Sequence, residues 1–301
     1  MANRWWIYQR ERFPLAGHGV LVAAISLSAV GFSALLRGEA ALPQPWQLVV
    51  AFVTVLLFFL QLRIFDEHKD YDEDARFRPY RAVPRGLVRL RELAAVVVAA
   101  GVVQLGLALA LDARLVPLIL LVWTTMALMG REFFVGDWLR ARPVAYLASH
   151  MMILVWIGLY ASACDWLVAG AAPPDGLVWF LAVAYGNGVV FEIGRKIRSP
   201  ADEEPGVATY SALWGRRSAV AAWLAAQLGA AAFALAAAER IGFVVPTAGV
   251  IAALLALGAA VGVGFMRRPA FGTGKAFERL SALWILALSL ALGPAPLLLR
   301  A

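Results

Sequence analysis

Residues 66–74 read DEHKDYDED, and residues 49–65 just before them read VVAFVTVLLFFLQLRIF. A run of membrane-grade hydrophobicity thus ends in six carboxylates within nine residues. Asp66, Asp70 and Asp74 lie at i, i+4 and i+8. On an α-helix each such step drifts by only about 40°, so the spacing predicts one shared face. Like charges at helical neighbour spacing repel, and the negative end of the helix dipole disfavours them further. A hard divalent cation would relieve that repulsion. Mg²⁺ takes one or two carboxylates, several waters and the phosphate oxygens of a substrate, and paired metals on such carboxylates can clamp a diphosphate. The plainer alternative is a solvated acidic cap balanced by Lys69, Arg76, Arg78 and Arg81. His68, beside the acids, is a weaker ligand candidate.

The rest of the chain supplies the setting. Of 301 residues, 62% are hydrophobic and 16% are charged. Soluble domains are nearer half apolar and a quarter charged, so the excess apolar surface points to a bilayer. Nine apolar stretches of spanning length are predicted, at about 18–36, 46–65, 91–111, 115–135, 144–163, 176–195, 218–238, 243–265 and 278–298. They are too long for strands and lack the alternation of a barrel. With the N-terminus placed in the cytoplasm, 23 of the 27 lysines and arginines fall on the cytoplasmic side. That asymmetry satisfies the positive-inside rule and puts the C-terminus outside. The fold class expected is all-α: one polytopic transmembrane domain over 1–301 in a bacterial inner membrane. The net charge of +7 is then a property of one membrane face and gives no reason to expect a nucleic-acid partner. The single cysteine, Cys164, excludes an internal disulfide and any multi-cysteine metal site.

Two cytoplasmic loops, about 63–90 and 192–217, are long and mix acids with bases. The first contains DEHKDYDEDARFRPYRAVPRG at 66–86. This resembles the first signature of the UbiA superfamily of intramembrane prenyltransferases, NxxxDxxxD followed by an RPxPxG-like turn. Asp66 takes the Asn place, Asp70 and Asp74 match the two Asp places, and RAVPRG matches the turn except at Ala82. Nine helices with long loops after helices 2 and 6 match as well. The resemblance implies a bundle around a central cavity. It also implies an isoprenyl diphosphate held through Mg²⁺ by acids of both loops, and a prenyl chain in an apolar tunnel. Asp66, Asp70 and Asp74 become the expected catalytic, metal-binding residues.

The second loop, FEIGRKIRSPADEEPGVATYSALWG at 191–215, fits the resemblance only in part. Gly206, Thr209 and Trp214-Gly215 fall where the family has its closing segment. Glu192 stands for the first carboxylate, but four residues on is Lys196. Backward from Gly206, acid places are taken by Gly194 and Arg198, with Asp202 third. Either Glu192 and Asp202 complete the metal set while Arg195, Lys196 and Arg198 grip the diphosphate, or the triplet 202–204 folds back toward the first loop. Glu192 and Lys196 can also form an ordinary helix pair. Arg131 stands for a lysine of the family's Tyr-x-x-x-Lys, with Ala127 in the tyrosine's place. It is either a further phosphate ligand or a snorkelling anchor. Asn187, His150 and Tyr185 are polar groups at membrane depth and candidate cavity residues. For His150, hydrogen bonding between helices is the favoured role.

The function expected is Mg²⁺-dependent transfer of a prenyl group to a small, possibly aromatic acceptor. A cyclase that closes the same allylic cation on itself is the alternative, and a transporter or scaffold is the non-enzymatic reading. A CDP-alcohol phosphotransferase would need a DG-x-x-AR motif that the chain lacks.

Overall fold

The computed structural model describes residues 3–39 and 43–300. In chain order the helices are α1 (Arg4–Arg12), α2 (Leu15–Leu36), α3 (Pro45–Lys69), α4 (Tyr71–Phe77), α5 (Leu90–Leu111), α6 (Val116–Gly130) and α7 (Gly136–Arg140). They continue with α8 (Pro143–Trp166), α9 (Leu177–Arg195), α10 (Tyr210–Trp214), α11 (Arg216–Arg240), α12 (Val244–Arg267), α13 (Lys275–Leu292) and α14 (Pro294–Arg300). Among the described residues there is no strand. Nine helical segments there are long and apolar enough to cross a membrane, and each of the nine expected stretches coincides with one. The fourth stops at Gly130, short of the expected 135, because Glu132, Phe133 and Phe134 all adopt positive φ (49°, 52° and 61°). Three consecutive L-residues in the left-handed region cannot extend a right-handed helix.

The long helices pack into one bundle. α3 lies against α2, α5 and α8; α9 lies against α8, α11 and α13; α13 returns to α2. α2 and α8 thus hold α3 and α9 apart, which leaves the C-terminal ends of those two helices across a gap from each other. Small residues permit the tightest contact: a Cβ at Gly186 of α9 would sit 3.0 Å from Cβ of Ala230 on α11. In lipid, where burial of apolar surface gives no net drive between helices, such close approach and polar pairs hold helices together. Tyr160 donates to Thr54 Oγ1 at 3.2 Å, Gln104 to the Thr54 carbonyl at 3.1 Å, and Trp123 to Gln104 at 3.2 Å. On the face opposite the long loops, Asp165 accepts from Ser33 (2.7 Å) and from Arg37 twice (2.9 Å each). These bonds pin α2 to α8.

The 63–90 loop is a folded structure. Tyr8 of α1, Ile64, Ala82, Val83, Val88 and Leu93 form a second apolar cluster apart from the bundle core. Ala82, the departure from the resembled turn, is fully buried in it. α1 is thereby clamped over the end of α3.

Candidate active site

Where α3 ends, the carboxylates of the acidic stretch divide. The backbone stays nearly helical: the Asp70 N–H donates to Asp66 O at 2.9 Å and the Asp74 N–H to Asp70 O at 2.8 Å. Asp66 keeps 54% of its side-chain surface open, and its nearest cation, Arg63, stands 3.9 Å away. It is within electrostatic reach of Arg195 and Glu192 on α9, so it faces the gap between α3 and α9. The Asp70 carboxylate, one turn on, has no hydrogen bond or ion pair among the described residues. Burial, with Asp66 and then Asp74 close by, pushes its carboxyl above the usual range.

Asp74 is turned away from that gap. It is buried, with Arg78 at 2.8 Å, Arg81 at 2.7 Å and Arg12 of α1 at 3.8 Å. Glu67 is likewise buried between Arg12 (2.5 Å) and Arg63 (2.9 Å). Of the three aspartates expected on one face, Asp66 and Asp70 are open to a ligand, and Asp74 anchors α1 and the following turn.

Across the gap, Glu192 is buried at the end of α9 and bonded both to Arg195 and to Lys196, the latter at 2.9 Å. The expected i,i+4 pair is therefore formed, and Arg195 joins it. Arg195 also senses Asp66 and, from α13, Glu278. Lys196 stands 5.7 Å over the ring of Tyr210, whose phenol burial pushes above its ordinary range. Tyr210 stacks on Trp214 at 4.3 Å.

The later acids of the second loop serve its own fold. Ser199 (2.6 Å) and the Gly272 N–H (2.9 Å) bond Asp202 and hold its carboxyl below the usual range. Glu203 accepts from Thr209 at 2.8 Å. Arg198 donates to the Asp202 carbonyl at 3.2 Å and to Glu204 at 3.1 Å. Glu204 also accepts from Tyr80 of the first loop at 2.9 Å. The two loops therefore touch directly, with Asp202 and Arg198 inside the second loop's scaffold.

Of the membrane-depth candidates, Asn187 accepts from Trp284 at 3.1 Å and joins α9 to α13. Tyr185 is half-buried, and its hydroxyl has no hydrogen bond among the described residues. His150 bonds the Tyr146 carbonyl through Nδ1 at 2.9 Å and lies 3.6 Å from Glu132. It belongs to a cluster that sequence reasoning missed. Lys69 Nζ reaches both Glu132 Oε1 and the Tyr146 hydroxyl at 2.5 Å, and Tyr146 stacks on His150 at 3.9 Å. Tyr146 also senses Asp70, so the cluster borders the acidic mouth. Its only sequence signal is the four-residue spacing of Tyr146 and His150 in a helix otherwise poor in polar groups. Arg131 stands apart: exposed and without a partner among the described residues, it borders a recess with Phe65, His68 and Lys69.

Among the described residues no three His, Cys, Asp or Glu side chains converge into a ready-made metal cluster. A magnesium ion does not require one. One or two carboxylates with water and phosphate oxygens complete its shell; Asp70, unpaired, and Asp66, half-exposed with only a loose Arg63 contact, offer them. The donor set fits a cation that arrives with its substrate.

No protein-family model matches the sequence, and no curated protein sequence matches it. Solved structures do. A UbiA homologue from Aeropyrum pernix K1, in its apo form, superposes with a TM-score of 0.68 at 18% identity, over 90% of this chain and 96% of that one. A digeranylgeranylglyceryl phosphate synthase gives 0.57 at 12% identity, over 97% and 99%. A UbiA homologue from Archaeoglobus fulgidus bound to DMAPP and Mg²⁺ gives 0.56 at 14% identity, over 95% and 98%. The chain has the UbiA fold along nearly its whole length.

Proposed function

We propose that this chain is an intramembrane prenyltransferase that ionises an isoprenyl diphosphate with Mg²⁺ held by Asp66 and Asp70. The observation that carries the reading is the pairing across the gap. Asp66, whose only ion pair is a loose one to Arg63, lies within electrostatic reach of Arg195 and Glu192 at the end of α9; the Asp70 carboxylate one turn on is unpaired among the described residues, and Glu192 holds Arg195 and Lys196 across the gap. A diphosphate bridging them would meet metal on one side and fixed cations on the other. Departure of diphosphate leaves an allylic cation, and its transition state is stabilised mainly by charges already in place around the leaving group. Asp66 and Asp70 would bind the metal; Arg195 and Lys196 would bind phosphate oxygens, Arg195 through its planar fork. Neighbours of the same fold that bind DMAPP and Mg²⁺ support the substrate class. The N-terminus and the two loops would lie in the cytoplasm, a placement that the distribution of basic residues supports.

The acceptor is a small molecule, and a ring carbon or hydroxyl is the nucleophile the chemistry suits. Lys196 and Arg198, at places where the second signature has acids, also favour a second reading, cyclisation of the cation without an acceptor. Incubation of purified protein with C10 to C20 prenyl diphosphates and Mg²⁺, with and without phenolic acceptors, tests both. Diphosphate release that needs an acceptor supports transfer, and release with a cyclic hydrocarbon product supports cyclisation. No Mg²⁺-dependent release with any chain length would refute the enzyme.

A further inference from the structure

On the outer side of α3 a groove runs between α3, α5 and α6. Its body is a recess of about 300 Å³ with Phe65, Gly101, Trp123 and Met126 among its walls. Val98 and Val102 at its rim are 67% and 66% exposed, as side chains facing lipid would be. Phe65 also borders the second recess, of about 270 Å³, at the basic face, with His68, Lys69 and Arg131. The two recesses share Phe65 as a wall, which sets an apolar body beside a cationic head, and we read the groove across both. It opens on a different side of α3 from the candidate active site, with Lys69 between the two. At about 100° per residue, Gln61, Phe65 and His68 form a stripe roughly 150° around α3 from Asp66 and Asp70.

The head carries charge that the protein leaves unmatched. Lys69 is taken by Glu132 and Tyr146. Arg131 has no partner among the described residues, and His68 is tied only through Nδ1, to the Ile64 carbonyl at 3.0 Å. The body is kept open by a missing side chain: a Cβ at Gly101 would already stand 3.3 Å from the Trp123 ring, so a larger residue would fill it. We infer that this groove binds one anionic phospholipid, its phosphate on Arg131 and His68 and one acyl chain along Gly101 and Trp123. The match is one of charge and shape: a monoanionic phosphodiester against one unpaired guanidinium, above an apolar channel that opens to the bilayer. A single base near an anionic headgroup contributes about 1 kcal/mol. The occupant would be selected from the leaflet and held on Trp123.

Trp123 makes the site observable. The full chain is reconstituted in vesicles doped with phosphatidylglycerol or phosphatidylcholine brominated on the acyl chains. The Trp123 signal is the fluorescence of the unaltered protein minus that of Trp123→Phe. Brominated phosphatidylglycerol is expected to quench this component at roughly fivefold lower mole fraction than phosphatidylcholine, the preference that one base supplies. The double variant Arg131→Gln/His68→Ala should abolish the preference, and Gly101→Leu should abolish quenching by both lipids. Native mass spectrometry of the unaltered and Arg131→Gln proteins should show retained phosphatidylglycerol in the first only, a readout that does not depend on Trp123→Phe folding well. Equal quenching by the two lipids would reduce the groove to ordinary lipid contact and overturn the inference. A preference that survives the double variant would also overturn it, as would release of the quenching by millimolar soluble diphosphate with Mg²⁺, which would assign the groove to substrate.

Discussion

Gly206 of the second loop rests on the ring of Phe77 of the first: a Cβ at 206 would stand 2.4 Å from Cδ2 of that ring. Gly206 also has φ +73°, where an L-residue costs about 1–2 kcal/mol. Both constraints require glycine, and both act at the seam between the loops. Gly206→Ala is therefore expected to part the loops while the helices stay packed. Limited proteolysis should cut within 200–209 faster, and KM for prenyl diphosphate should rise. Unchanged protease resistance of that segment would show that the seam is held by the Tyr80–Glu204 bond alone.

Asp70→Asn separates a metal role from a structural one. Asp70 carries a raised carboxyl pKa, through burial first and then Asp66. A pKa above its unfolded value means that the ionised form is disfavoured by folding, so this residue's contribution to stability falls as pH rises through the raised value. At neutral pH, Asn should then raise the melting temperature; at acid pH, where Asp70 is protonated, it should change little. Turnover should be lost at every pH. Since metal binding requires the carboxylate, the acidic limb of Mg²⁺ affinity in the unaltered protein should lie above the usual carboxylate range. An active Asp70→Asn protein would exclude the metal role.

The spans were legible because a helix that faces lipid must be apolar for about 20 residues, and nothing at longer range alters that. The acidic mouth was legible for a related reason: four-residue spacing survives as a face wherever the helix continues, as it does from Asp66 to Asp70. What could not be read was which charges pair. Arg12, 62 positions from Asp74 in the chain, meets it only because α1 folds over the end of α3. The same holds for Lys69 of α3 with Tyr146 of α8 and for Asp202 with Gly272, contacts set by tertiary packing that no local pattern encodes. The left-handed turn at 132–134 was equally hidden, since Glu-Phe-Phe carries no glycine or asparagine to announce it.

Arg12→Ala tests the anchoring of α1. Arg12 meets two buried carboxylates, Glu67 at 2.5 Å and Asp74 at 3.8 Å. Loss of one partner of a buried ion pair costs about 3–5 kcal/mol when the other is left alone. Glu67 keeps Arg63, and Asp74 keeps Arg78 and Arg81, so a smaller loss, on the order of 2 kcal/mol, is expected. Thermal unfolding in detergent should show it, with earlier hydrogen exchange in α1 and in 78–89. If the melting curve and the exchange of α1 are unchanged, the helix is held by Tyr8 and its apolar neighbours.

Lys196 and Arg198 should behave differently although they are two residues apart. Lys196 bonds Glu192 and stands over Tyr210 at the gap. Arg198 bonds the Asp202 carbonyl and Glu204 within the loop. If diphosphate spans the gap, Lys196→Ala removes one charge-assisted bond to it, a loss on the order of 1.5–3 kcal/mol, or roughly 10- to 150-fold in Kd. Arg198→Ala removes no such bond. It should leave Kd within a few-fold and instead loosen the second loop, which exchange of 199–209 would report. Glu192→Gln should weaken diphosphate binding indirectly, because Arg195 and Lys196 lose the carboxylate that positions them; Lys196→Arg should recover part of the affinity that alanine loses. Titration of correctly inserted protein with a non-hydrolysable prenyl diphosphate analogue separates these cases. Equal losses at 196 and 198 would mean that the second loop rearranges on binding and brings Arg198 to the phosphate. No loss at either would leave Arg195 as the only base of that loop on the diphosphate.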